Sequence, residues 1–167
     1  MLEIDVEADE EWDSSRPWVE LVRGAAQAAI AESAYPHLTE TERQVELSVR
    51  LTSDEEVQAL NDSWRDKDKP TNVLSFPLAE PGEFMQAMVG GPELLLGDIV
   101  LARGVCVAEA AHKGISVDHH ATHLLVHGTL HLLGYDHLDD QSAEDMEARE
   151  VRALHRLGIA DPYRVAA

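Results

Sequence analysis

The 167-residue chain is long enough to bury a core without disulfide or metal staples, and its length alone reads as one domain over residues 1–167. A formal charge of -19, from 32 acidic and 13 basic residues, excludes broad electrostatic adhesion to nucleic acid or to an anionic membrane. The single cysteine, Cys106, excludes an internal disulfide, and neither a long apolar run nor a basic leader is present, so a soluble cytoplasmic protein without membrane contact is expected.

Leu2, Ile4 and Val6 alternate with acidic residues as a short half-exposed strand, followed by an acidic linker through Ser15. From Pro17 onward, Trp18, Leu21, Val22, Ala25, Ala26, Ala29 and Ile30 recur at helical spacing. Val45, Leu47, Val49 and Leu51 alternate with polar residues as a one-sided strand. Ser53 and Glu56 have the spacing of a capping box, opening a helix with Val57, Leu60 and Trp64 on one face. Pro70 stops any helix before it; Val73, Leu74 and Phe76, closed by Pro77, read as a strand near a sheet edge.

Residues 79–92 hold Pro81, Gly82, Gly90, Gly91 and Pro92 and read as a long excursion with little regular structure. Leu94 to Leu101 reads as a strand in which Gly97 lets something approach the backbone. A helix over 103–113 stops at Gly114. The next is capped by Asp118, with Ala121, Leu124, Leu125, Gly128 and Leu132 on its packing side. The last runs from about Ser142 to Leu157 before Gly158, with Met146, Val151 and Leu154 inward. This order predicts an α/β (α+β) domain: one small mixed sheet of about four strands covered by about five helices, with a metal site at the end of a helix.

Chemistry concentrates between His127 and His137. On a helix His127 and His131 lie four apart on one face, so both can grip one ion. Gly134 can take the positive φ that ends a helix, and the reversed chain can return His137 toward the pair. Three nitrogens with an open position are what a catalytic zinc uses, rather than a closed structural one. His119, His120 and His123, near the helix start, read as exposed or capping groups, and His37, His112 and His155 as isolated. The spacing also matches His-Glu-x-x-His-x-x-Gly-x-x-His of zinc peptidases, except that residue 128 is Gly where the general base would stand; proteolysis is therefore not expected. On charge alone, Arg65, Lys67 and Lys69 with Asp66 and Asp68 read as a solvated, balanced loop.

Three blocks carry a resemblance. His127 to His137, the run Asn61, Trp64, Arg65, Pro70, Thr71, Asn72, Val73, Leu74, Ser75, Phe76 and Pro77, and the run Leu96, Gly97, Asp98 and Ile99 resemble the YbeY family of bacterial metal-dependent endoribonucleases. One departure is Asn72, where the family often has Asp; an amide keeps an acceptor but no charge, so no acid or base role falls to it. The resemblance implies one zinc ion per chain at His127, His131 and His137, and a functional arginine at Arg65. It further implies cleavage of single-stranded RNA in 16S rRNA maturation and ribosome quality control, with the small ribosomal subunit or its factors as partners.

Physically, Arg65 would hold a phosphate oxygen by paired hydrogen bonds, with Lys67 and Lys69 steering the backbone locally. Asp136, with Tyr135, is close enough in sequence to orient an imidazole or a water, which makes Asp136 a candidate catalytic group. Two other readings stay open. In a ribosome assembly or binding factor the metal would be mainly structural, which asks for a fourth protein ligand such as a carboxylate or His123. A metallohydrolase of another substrate also fits, since three histidines and a water do not choose between ester, amide and phosphodiester.

Overall fold

Side-chain alternation lays down the sheet. Strands β1 (Leu2–Ala8), β2 (Val45–Thr52), β3 (Val73–Pro77) and β4 (Leu94–Ala102) lie in the order β1-β2-β4-β3. The pairs β1/β2 and β2/β4 are parallel, whereas β3 runs antiparallel to β4 at the edge, as the proline-bounded run predicts. Val45, Leu47, Val49 and Leu51 of β2 are buried while Arg50 between them is exposed, the period-two pattern of a strand with one core face. The computed structural model describes residues 1–12, 16–65, 72–86, 92–136 and 138–163, without the side chains of residues 63–65, 81, 85 and 86.

The helices are α1 (Trp18–Ala31), α2 (Asp54–Arg65), α3 (Pro81–Gln86), α4 (Arg103–Lys113), α5 (Val117–Leu132) and α6 (Asp140–Arg156), with a 3-10 turn at Pro36–Thr39. Helix α5 lies against β3 and β4 and is flanked by α1 and α6. Its buried Ala121, Leu124, Leu125 and Val126 join Ile4, Leu47, Leu101, Val22 and Leu154 in one continuous core. A smaller cluster of Val57, Leu74, Val100 and Ala102 sits under α2. Among the described residues, no helix is long and apolar enough to cross a membrane.

Several expectations shift at helix ends. Ser116, not Asp118, caps α5: its Oγ accepts from the His119 N–H at 3.1 Å, and Asp118, one residue inside the helix, pairs with Arg16. The last helix starts earlier than Ser142, at a reciprocal box in which Asp139 accepts from the Ser142 N–H at 2.7 Å and Ser142 Oγ accepts from the Asp139 N–H at 3.1 Å. Only half of the box expected at Ser53 forms. Ser53 Oγ accepts from the Glu56 N–H at 3.2 Å, but the Glu56 carboxylate goes to Thr52 Oγ1 at 3.1 Å and Arg50 at 2.6 Å.

The 79–92 excursion contains α3, because Pro81 suits a first helical position and Phe84 is fully buried beside Tyr35, with ring centroids 5.0 Å apart. Residues 87–91 lie outside the described residues. Gly97 meets the expectation of close approach. With φ 143°, a side chain there would put its Cβ 2.3 Å from the Phe76 carbonyl oxygen and 2.8 Å from Leu132 Cδ2, so the end of α5 rests on it.

Candidate metal centre

The end of α5 is built to stop and turn. Gly134 takes φ 97°, the Tyr135 N–H donates to the Leu130 carbonyl at 3.1 Å and the Gly134 N–H to the His131 carbonyl at 3.0 Å, which completes a glycine-terminated helix end. One turn before this stop, His127 and His131 face each other with Nε2 atoms 3.0 Å apart and ring planes at 86°. That is close to the roughly 3.3 Å expected between two nitrogens on one tetrahedral zinc ion.

Behind the pair stands Glu150 of α6, fully buried, whose Oε1 accepts from His127 Nδ1 and whose Oε2 accepts from the Tyr163 hydroxyl. Burial works against its charge, but the hydrogen bonds from His127 and Tyr163, with His123 Nε2 3.8 Å away, outweigh it and hold the carboxyl at about 2, so Glu150 is ionised at neutral pH. An ionised carboxylate only accepts, so the His127 proton sits on Nδ1 and the Nε2 lone pair is directed at His131. A ligand histidine needs this arrangement, and the donor set therefore fits a zinc or similar ion.

Sequence reasoning passed over Glu150, although a signal existed. It lies four residues after Met146 and four before Leu154, both buried, so a charged residue occupies the apolar stripe of α6.

The histidine pair opens into a cleft of about 390 Å³ lined also by Asn72, Val73, Ser75, Pro77, Gly134, Tyr135 and Asp136. Strand β3 thus brings the second sequence block against the first. Asp136 is exposed in this cleft. The Tyr135 hydroxyl is turned away from the imidazoles, accepting from the Ala34 N–H at 2.9 Å while the Arg149 guanidinium lies 4.9 Å from its ring centre. Asn72 donates through Nδ2 to Glu109 Oε1 at 3.1 Å, an oxygen that also lies 2.9 Å from His120 Nε2; a carboxylate at 72 would repel Glu109 instead.

Arg65 is the last residue of α2, its side chain lying outside the described residues together with all of Lys67, Lys69 and His137. Among the described residues, no group of three His, Cys, Asp or Glu side chains that could hold an ion is assembled.

Two further expectations are corrected or explained. His120 and His123 are buried rather than exposed, since the start of α5 lies under α4 and the C-terminal segment. Burial pushes the His120 imidazole below its usual range, against the hydrogen bond to Glu109 that raises it. His123 Nε2 is 3.2 Å from the Tyr163 hydroxyl and is committed there. Gly128 is buried against β4, where a Cβ would lie 3.1 Å from Ile99 Cγ2. A glutamate at that position would enter the core rather than the cleft, so the peptidase arrangement is closed by packing as well as by composition.

Fold and site together define an α/β protein with a helix-borne histidine pair, a buried carboxylate behind it and an edge strand across the cleft. The family model described as Endoribonuclease YbeY matches residues 9–158, and the chain belongs to this family. Among similar proteins, an Endoribonuclease YbeY of Rhizorhabdus wittichii is 49% identical over 99% of this chain and 98% of its own length. Another of Erythrobacter litoralis is 50% identical over 97% of this chain and 96% of its own. The solution structure of TM1509 from Thermotoga maritima shares the fold, with a TM-score of 0.55 at 21% identity, covering 99% of this chain and all of that one.

Proposed function

We propose that the chain is a zinc-dependent endoribonuclease that cuts single-stranded RNA, working in the cytoplasm on 16S rRNA maturation and ribosome quality control with the small ribosomal subunit or its factors. One observation supports it above the others: His127 and His131 converge at 3.0 Å with Glu150 fixing the His127 tautomer, in a cleft whose other wall is β3. The relatives named Endoribonuclease YbeY support RNA as the substrate.

His127, His131 and, from outside the described residues, His137 would hold one zinc ion, which when bound supplies Lewis acidity toward a phosphoryl oxygen. The chain's own groups do the rest. Glu150 keeps the Nδ1 proton of His127 in place, and Arg65, at the end of α2, binds a phosphate oxygen and opposes the charge that develops on it. Asp136, exposed at the cleft, is placed to orient an imidazole or the attacking group. A closed, purely structural site finds less support, because Nε2 of His123, the candidate fourth ligand, faces Tyr163 and Glu150.

The test is cleavage of a defined single-stranded RNA by purified protein of known metal content, beside His127→Ala and Arg65→Ala. Wild-type protein should cut and both variants should lose cutting. Intact RNA with metal-loaded wild type, or equal cutting by all three, overturns the proposal. Product ends identify the attacking group: a 2′,3′-cyclic phosphate assigns it to the ribose 2′-OH, and a 5′-phosphate to water.

A further inference from the structure

Tyr163 lies after the last helix and outside residues 9–158 matched by the family model, yet its hydroxyl reaches the carboxylate behind the histidine pair. The segment that carries it is anchored through Ile159 and turns at Asp161. The Ile159 N–H donates to the Leu154 carbonyl at 2.9 Å, the Ile159 side chain packs on the core, and the Tyr163 N–H donates to Asp161 Oδ1 at 2.8 Å. The Tyr163 ring meets His123 edge-on, with centroids 5.4 Å apart and planes at 89°.

The fully buried Glu150 accepts on both oxygens. Its Oε1 takes the His127 Nδ1 proton and its Oε2 takes the Tyr163 hydroxyl proton, which leaves the phenol oxygen free to accept from His123 Nε2. His123 Nδ1, without a hydrogen-bond partner among the described residues, is then a bare acceptor rather than a stranded N–H. The chain of hydrogen bonds runs His123 to Tyr163 to Glu150 to His127 with every donated proton accounted for.

We infer that Tyr163 is a positioning residue for the metal centre: by holding the second oxygen of Glu150 it fixes the carboxylate plane and so the direction in which His127 presents Nε2. With the hydroxyl gone, the carboxylate keeps one partner fewer and can rotate, carrying the imidazole with it. This inference rests on the zinc reading of His127 and His131. Nothing in it requires Tyr163 to touch substrate.

Tyr163→Phe keeps the ring against His123 and removes only the hydroxyl. Zinc affinity is measured by chelator competition on folded protein, with the cobalt-substituted absorption spectrum as a second readout and the unfolding midpoint of the metal-free protein as a third. The expected result is one zinc per chain in both proteins, with affinity lowered about 10- to 100-fold in Tyr163→Phe and a shifted cobalt spectrum. Unchanged affinity and spectrum overturn the inference, whether or not the unfolding midpoint falls, since a fall alone marks a merely structural contact. Wild-type protein that binds zinc no better than His127→Ala overturns the zinc reading itself, and the inference with it.

Discussion

Helix α5 carries five histidines, and its two ends put them to different uses. At the start, His120 and His123 are buried and spend Nε2 on Glu109 and Tyr163. At the end, His127 spends Nδ1 on Glu150 and turns Nε2 toward His131 and the cleft. A spacing of four joins His119 to His123 and His123 to His127 as well as His127 to His131, so spacing does not separate the proposed ligands from structural groups. What separates them is which ring nitrogen a neighbouring element has already taken.

The largest effect that would test this contrast is His127→Ala, expected to lose more than the roughly 100-fold of zinc affinity that removal of an outer partner can cost. Metal content of dialysed protein reads it, and near-stoichiometric zinc in the variant would break the contrast. Gly97→Ala should cost about 3 kcal/mol, since the new Cβ meets the Phe76 carbonyl and the Leu132 side chain at a positive φ. Urea unfolding measures this cost, and the same variant should weaken zinc binding because the end of α5 that carries His127 and His131 is lifted from β4.

Glu150→Gln keeps the volume but removes the charge that fixes the His127 tautomer, and about 10- to 100-fold in zinc affinity should go with it. An unchanged affinity by chelator competition would mean the pair needs no carboxylate.

At the other end of α5, His120→Gln should leave zinc stoichiometry untouched. Its signature is in pH instead. Burial, opposed by the Glu109 hydrogen bond, depresses the folded-state pKa of His120 below 6.5, so the unfolded chain takes up a proton first and stability falls as pH drops below that value. The variant should show a shallower acid slope in unfolding midpoint between neutral pH and pH 5. Ser116→Ala should be the mildest, about 1 kcal/mol from a lost cap. Thermal unfolding checks it, and a larger loss in Asp118→Ala than in Ser116→Ala would return the cap to Asp118.

Much of this was legible in sequence because local rules and tertiary structure agree. The alternation Val45 to Leu51, the proline-bounded edge strand and the Gly134 stop each follow from one residue pattern with one physical cause. The misreadings arose where two rules competed. Asp118 is a good cap residue, but in the first turn it also answers Arg16, and Ser116 was free to cap. Pro81 and Gly82 read as breakers, yet a buried Phe84 supplied enough apolar surface for a short helix. Glu150 was invisible for another reason: its meaning depends on His127 and Tyr163, neither of which is near it in sequence.

That separation along the chain also has a meaning in time. The two facing imidazoles can form as soon as α5 coils, but the carboxylate that aims them is 23 residues further on and the hydroxyl that steadies it another 13. At a synthesis rate of about 5–20 residues per second, the histidine pair is made roughly 1–5 s before its carboxylate. In the proposed zinc site, a newborn chain therefore passes through a stage with both histidines but no orientation, and the grip tightens only once Glu150 and Tyr163 have been made.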